Sequence, residues 1–123
     1  MPNLNAALGC AQLEQLPGFL ASKRRLYERY RAAFAGLQQV RLMQEPAGCD
    51  SNDWLQTLIL SEDVAEQRDD ILAATNDAGL MTRPAWTLMH KLPPYRDSPR
   101  APLPVAESLA RRIINLPSSA GLA

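Results

Sequence analysis

At 123 residues the chain is long enough for one domain with a single, modest core. Thirteen Lys and Arg balance thirteen Asp and Glu, so no global field steers it onto nucleic acid or an anionic membrane. No apolar run approaches the ~20 residues that span a bilayer, and the N-terminus lacks the charged-then-apolar order of a secretory signal.

Apolar residues at Leu4, Leu8, Ala11 and Leu16 follow a helical period, with Asn3 placed to cap the first turn. Pro17 has no N–H and its ring clashes with the carbonyl four residues back, so a kink or a new helix is expected there. The pattern resumes through Leu20, Leu26, Tyr30 and Phe34, and Gly36 is a plausible C-cap. Within this helix lie Lys23, Arg24, Arg25, Arg29 and Arg31, interleaved with Tyr27, Glu28 and Tyr30. A solvated face is the plain reading of that cluster, and a phosphate-binding face is the alternative.

Val40 and Leu42 alternate with Arg41 and Met43, which predicts a short edge strand over Gln39–Gln44. The Pro, Gly and Asp content of 45–52 predicts a loop. Trp54–Leu60 is the strongest strand candidate, apolar enough to be central, with Trp54 expected in the core. Ser61 or Asp63 then caps a helix carrying Val64, Arg68, Ile71, Leu72 and Thr75 on one face, and Gly79 ends it. Leu80–Arg83 starts another strand, which Pro84 limits. Six prolines from Pro84 to Pro104 predict an ordered surface loop, and Pro104 opens a last helix carrying Val105, Leu109 and Ile113 on one side. Residues 115–123 are expected to trail as an extended tail. The order predicts an α+β domain: a small, mainly antiparallel sheet with helices on one face, preceded by a long kinked or broken N-terminal helix. One domain covers the chain, with connecting helices over 1–37 and an α/β core over 38–114.

Chemistry-bearing residues are sparse. Cys10 and Cys49 have no His or carboxylate at ligand spacing, which leads us to expect reduced thiols in a cytoplasmic protein with no metal site. The two lysines, Lys23 and Lys91, both read as solvated structural residues. The richest cluster is Met81–Tyr95, where Arg83, Trp86, His90 and Tyr95 fall within thirteen residues. A guanidinium offers paired donors to phosphate, aromatic faces stack on a base or sugar, and imidazole or phenol bonds hydroxyls. The competing reading puts Trp86 and Met89 in the core and pairs Arg83 with a carboxylate.

Four stretches carry a resemblance. They are Met1–Leu16, Ser51-Asn52-Asp53-Trp54-Leu55, Thr82-Arg83-Pro84-Ala85-Trp86-Thr87-Leu88-Met89-His90, and Pro102–Ser108. Together they resemble the C-terminal small domain of the DegT/DnrJ/EryC1/StrS aminotransferases, pyridoxal-phosphate (PLP) enzymes that aminate nucleotide-linked keto-sugars. The resemblance implies a fold-type-I small domain and places Arg83, Trp86 and His90 on the substrate side, with Lys91 and Tyr95 as weaker candidates. It also implies that the Schiff-base lysine and the cofactor phosphate cradle belong to a large domain outside these residues. PLP is therefore expected in the parent enzyme and not on this chain. The chain further looks cut at both ends relative to the family. Its implied partners are a nucleotide sugar and, through the apolar helix at 3–16, a second copy in a homodimer or larger assembly. The alternative from another functional class is a non-catalytic interaction or oligomerisation module.

Overall fold

The structure is a computed structural model and describes residues 2–122; Met1 and Ala123, which bound the expected leading helix and tail, lie outside the described residues. Helix α1 runs from Asn3 to Phe34. It continues through Pro17, so the break expected there is absent. What holds the helix is its C-terminal half, where Leu26 is buried and Phe34 reaches the core. Proline forfeits one internal hydrogen bond, a loss that tertiary packing elsewhere along a long helix offsets.

Strands β1 (Val40–Leu42), β2 (Gln56–Leu60), β3 (Arg83–Pro84) and β4 (Ile113–Leu116) form one antiparallel sheet in the order β1-β2-β4-β3. The expected edge and central positions of β1 and β2 both hold. Strand β4 falls where Asn115 and Leu116 were expected to begin a tail. It instead pairs with β2 from Gln56↔Leu116 to Ile59↔Ile113. Two-residue β3 closes the other edge, and Pro84, lacking an N–H, limits that edge.

Side chains alternate across the pleat. Leu58 and Leu60 of β2 and Ile114 of β4 form the buried core, covered by Phe34 of α1, Val64, and Ile71 and Leu72 of helix α2 (Arg68–Asp77). A 3-10 turn at Glu62–Gln67 leads into α2. At its end, Gly79 adopts φ +81 while its N–H reaches Asn76 O (2.9 Å) and the Leu80 N–H reaches Thr75 O (2.9 Å). This left-handed closure is one that glycine adopts without a Cβ clash. Helix α3 (Pro104–Arg112) runs directly into β4, but Val105, expected on its inner side, is exposed.

Trp54 is the other departure. It is 59% exposed, because β2 begins two residues later and Gln56, 1% exposed, takes the inward position. Asp53 just before it sits at φ 49, and this turn aims the indole outward. The basic cluster on α1 is a solvated face only in part: Arg25, Arg29 and Arg31 are exposed, and among the described residues Arg25 and Arg31 bond only within their own helix, through Ser22 and Glu28. Lys23 Nζ donates to the carbonyls of Asp53 (3.1 Å), Trp54 (2.9 Å) and Ser118 (2.6 Å). Arg24 bonds Glu45, Asp50 and Ser51 O and pairs with Asp53, while Arg29 donates to Leu122 O. These cations tie the loop before β2 and the C-terminal segment to α1.

Candidate substrate groove

The face of the sheet opposite the Leu58–Ile114 core presents Thr57, Asn115 and Arg83, which lie side by side across β2, β4 and β3 by register. Thr57 Oγ1 donates to Asn115 Oδ1 (2.9 Å), and Asn115 Nδ2 donates to Pro84 O (3.4 Å). This face floors an open groove of about 1210 Å³. Leu55, Trp86 and Ser118 stand among its walls, and Arg83 is the one charged residue among the described residues that line it.

Arg83 leaves β3 with Nη1 donating to Asn76 Oδ1 (2.9 Å) and to Thr82 O (2.9 Å). It forms no ion pair with a carboxylate among the described residues, so the expected structural alternative does not hold. Trp86 is 81% exposed and meets Trp54 edge-on, with ring centroids 6.4 Å apart. An indole left this open is not a core residue, and Trp86 lines the same groove as the Arg83 guanidinium.

His90, expected beside Arg83 and Trp86, is elsewhere. A 3-10 turn at Met89–Lys91 carries it toward α3, where its Nε2 lies 3.1 Å from Glu107 Oε1. Since a carboxylate only accepts, this contact makes Nε2 the protonated nitrogen. The imidazole lines a separate hollow of about 440 Å³ with Tyr95 and Arg100. Its visible task is to fasten the proline-rich loop to α3. Lys91 is exposed on the same loop.

The groove is braced from behind. Burial pushes the Lys23 ammonium down from its ordinary range, and the nearby Asp53 charge opposes that shift. Burial likewise raises the Asp53 carboxyl, against the pull of Arg24. Ser118 Oγ donates to Trp54 O (2.9 Å), so Lys23, Trp54 and Ser118 form one knot at the groove's rim. Thr57, Asn115 and Ser118 were not singled out from sequence. For Thr57 the available signal was a polar residue one step off the Leu58 and Leu60 face of its strand.

The long leading helix and small antiparallel sheet are the architecture of fold-type-I sugar-aminotransferase small domains. Superposition bears this out: DesI, solved in the presence of its TDP-sugar product, aligns with a TM-score of 0.87 at 29% identity, over 96% of this chain and 31% of its own. DesV from S. venezuelae, solved with a ketimine intermediate, aligns at 0.84 and 26% identity over 96% and 31%. The model of the DegT/DnrJ/EryC1/StrS aminotransferase family matches residues 1–123, and the chain belongs to that family. It is 34% identical over 123 residues to the GDP-perosamine synthase of Vibrio cholerae, covering 99% of this chain and 33% of that protein. It thus spans about a third of the length of the curated relatives it matches.

Proposed function

We propose that this chain supplies a substrate wall to a PLP-dependent aminotransferase acting on a nucleotide-linked keto-sugar. The observation that carries the reading is the groove itself: one guanidinium with free donors and one exposed indole, Trp86, line the same open groove over Thr57 and Asn115 of the sheet. A diphosphate asks for the first, and a base or sugar face asks for the second. Family membership and the TDP-sugar product present with DesI agree with that ligand class.

On this reading the cofactor is held outside the residues described. Lys23 spends its three N–H bonds on backbone carbonyls, and Lys91 stands in water on a loop. Both roles agree with a Schiff-base lysine in other parts of the enzyme, and none of the bond-making is assigned to the residues described. What these residues do is bind and orient. Exposure supports a covered setting: a compact monomer of this size exposes roughly 6,600 Å², whereas this chain exposes 8965 Å². Leu4, 79% exposed, and Leu8 share one side of the first half of α1, and Leu13 is exposed on another, so this half carries apolar side chains with no packing in this domain. A non-catalytic association module would use the same helix but has no need of the Arg83 groove.

The test uses the full-length enzyme that carries this sequence. Arg83→Ala and Trp86→Ala should raise KM for the nucleotide sugar by roughly ten- to a hundredfold, the worth of one charge-assisted bond or a stacked ring. The PLP absorbance should stay intact. Unchanged KM in both variants would remove the groove from the substrate path.

A further inference from the structure

We propose that Asn76, at the end of α2, is a positioning residue that fixes the Arg83 guanidinium so that its Nε/Nη2 edge faces a substrate oxyanion. The inference rests on the groove reading above and deepens it. It starts from hydrogen-bond bookkeeping around Thr82, a side chain only 2% exposed beneath the last turn of α2.

Thr75 has one hydroxyl proton, and its Oγ1 lies 2.7 Å from Ile71 O and 3.1 Å from Leu72 O. That proton is committed to the helix, so in the 2.6 Å contact between the two threonines Thr82 must be the donor. Thr82 Oγ1 is then free to accept from Asn76 Nδ2, 3.0 Å away. The Asn76 NH₂ also donates to Leu72 O (2.7 Å) and lies 3.1 Å from Thr82 O, so its two protons serve three acceptors, one proton being shared, and both are in use. Flipping the amide would set its oxygen against two carbonyls. Only one orientation survives, and it aims Oδ1 at Arg83.

Arg83 completes the relay. Nη1 carries two protons, one for Asn76 Oδ1 and one for Thr82 O, both at 2.9 Å. A planar guanidinium held at one corner has its remaining edge fixed in direction. Nε and Nη2 have no protein partner among the described residues, and that edge is the fork that takes a phosphate or carboxylate through two parallel bonds. The Schellman closure at Gly79 makes the arrangement possible by returning the chain so that Thr82 sits under Asn76. In a sugar-nucleotide aminotransferase two substrates offer that chemistry: the diphosphate of the sugar and the carboxylate of the amino donor. The exposed Trp86 indole, which lines the same groove as Arg83, favours the diphosphate.

The experiment is a double-mutant cycle in the full-length enzyme, with KM measured separately for nucleotide sugar and amino donor and with thermal midpoints recorded. Asn76 is an exposed helical position where Ala is a favoured residue, so Asn76→Ala should fold. It should raise KM for the nucleotide sugar roughly three- to tenfold with kcat nearly unchanged, as expected for lost orientation of one ionic contact. In an Arg83→Ala background the same substitution should add nothing, because Asn76 acts through Arg83. A KM for Asn76→Ala equal to wild type, or a penalty that persists undiminished without Arg83, would overturn the inference while leaving the groove reading in place. Arg83→Ala with no effect on either KM would overturn both. An effect confined to the amino donor would move the fork to the donor carboxylate, upholding the Asn76 relay and overturning the diphosphate assignment.

Discussion

Replacing Lys23 by Met should cost the domain about 2 kcal/mol, less than a count of its bonds suggests. Each hydrogen bond to a charged group is worth about 1.5–3 kcal/mol, and Lys23 makes three, at 3.1, 2.9 and 2.6 Å. Two of the three carbonyls keep another partner in the variant. Trp54 O retains the Ser118 hydroxyl at 2.9 Å, and Asp53 O retains the Gln56 amide at 3.4 Å. Methionine also relieves the burial penalty that pushes the ammonium down, while its stem keeps the packing against α1. What remains is one carbonyl, that of Ser118, without this donor. Against a total stability of about 5–15 kcal/mol the loss should shift a urea midpoint plainly, with an unchanged slope. Lys23→Arg should not rescue it, because a planar fork cannot converge on three carbonyls. A loss below about 0.5 kcal/mol would show that the knot at the groove's rim is not a tether.

Three further outcomes follow from the same structure. Incubating the 123-residue chain with PLP, reducing with borohydride and mapping by mass should give no stoichiometric label on Lys23 or Lys91; single-site labelling of either would contradict the placing of the Schiff-base lysine elsewhere. Light scattering at high concentration should find the chain as a dimer or larger through the exposed leucines of the first half of α1, Leu4 and Leu8 foremost, and a monomer would contradict it. Glu45 is held below the usual carboxylate value of 4.5 by the Ser51 N–H first and by Arg24 next. It therefore contributes stability above that pH, lost as pH falls through its lowered value, so Glu45→Gln should flatten the acid limb of stability against pH. An unchanged acid limb would refute that assignment.

Much of the fold was legible because its signals are local. The 3.6-residue spacing marked α1, the alternation in Val40–Met43 marked an edge strand, and Gly79 marked the end of α2. Strand β4 was not legible. Ile113-Ile114-Asn115-Leu116 follows α3 with no intervening turn, so its apolar residues read as the last turn of a helix and then a tail. Only pairing with β2, more than fifty residues earlier in sequence, makes it a strand. Trp54 misled for a related reason: composition places an indole inside, but the left-handed Asp53 set the strand's start and turned the ring out. At the groove, Arg83 and Trp86 were legible as types suited to a sugar nucleotide. Asn76 and Thr82 were not, since their part depends on a chain reversal that brings the end of α2 over β3. His90 shared a segment with Arg83 but not a site, because a single turn is enough to send neighbours to different walls.

The central claim is that a nucleotide sugar lies along the groove beside Arg83 and Trp86. Photolabelling the full-length enzyme with a nucleotide sugar bearing a diazirine, followed by peptide mapping, tests it most directly. The account predicts label on Met81–Thr87, competed away by unmodified nucleotide sugar. Competed label found wholly on segments outside the groove would contradict it.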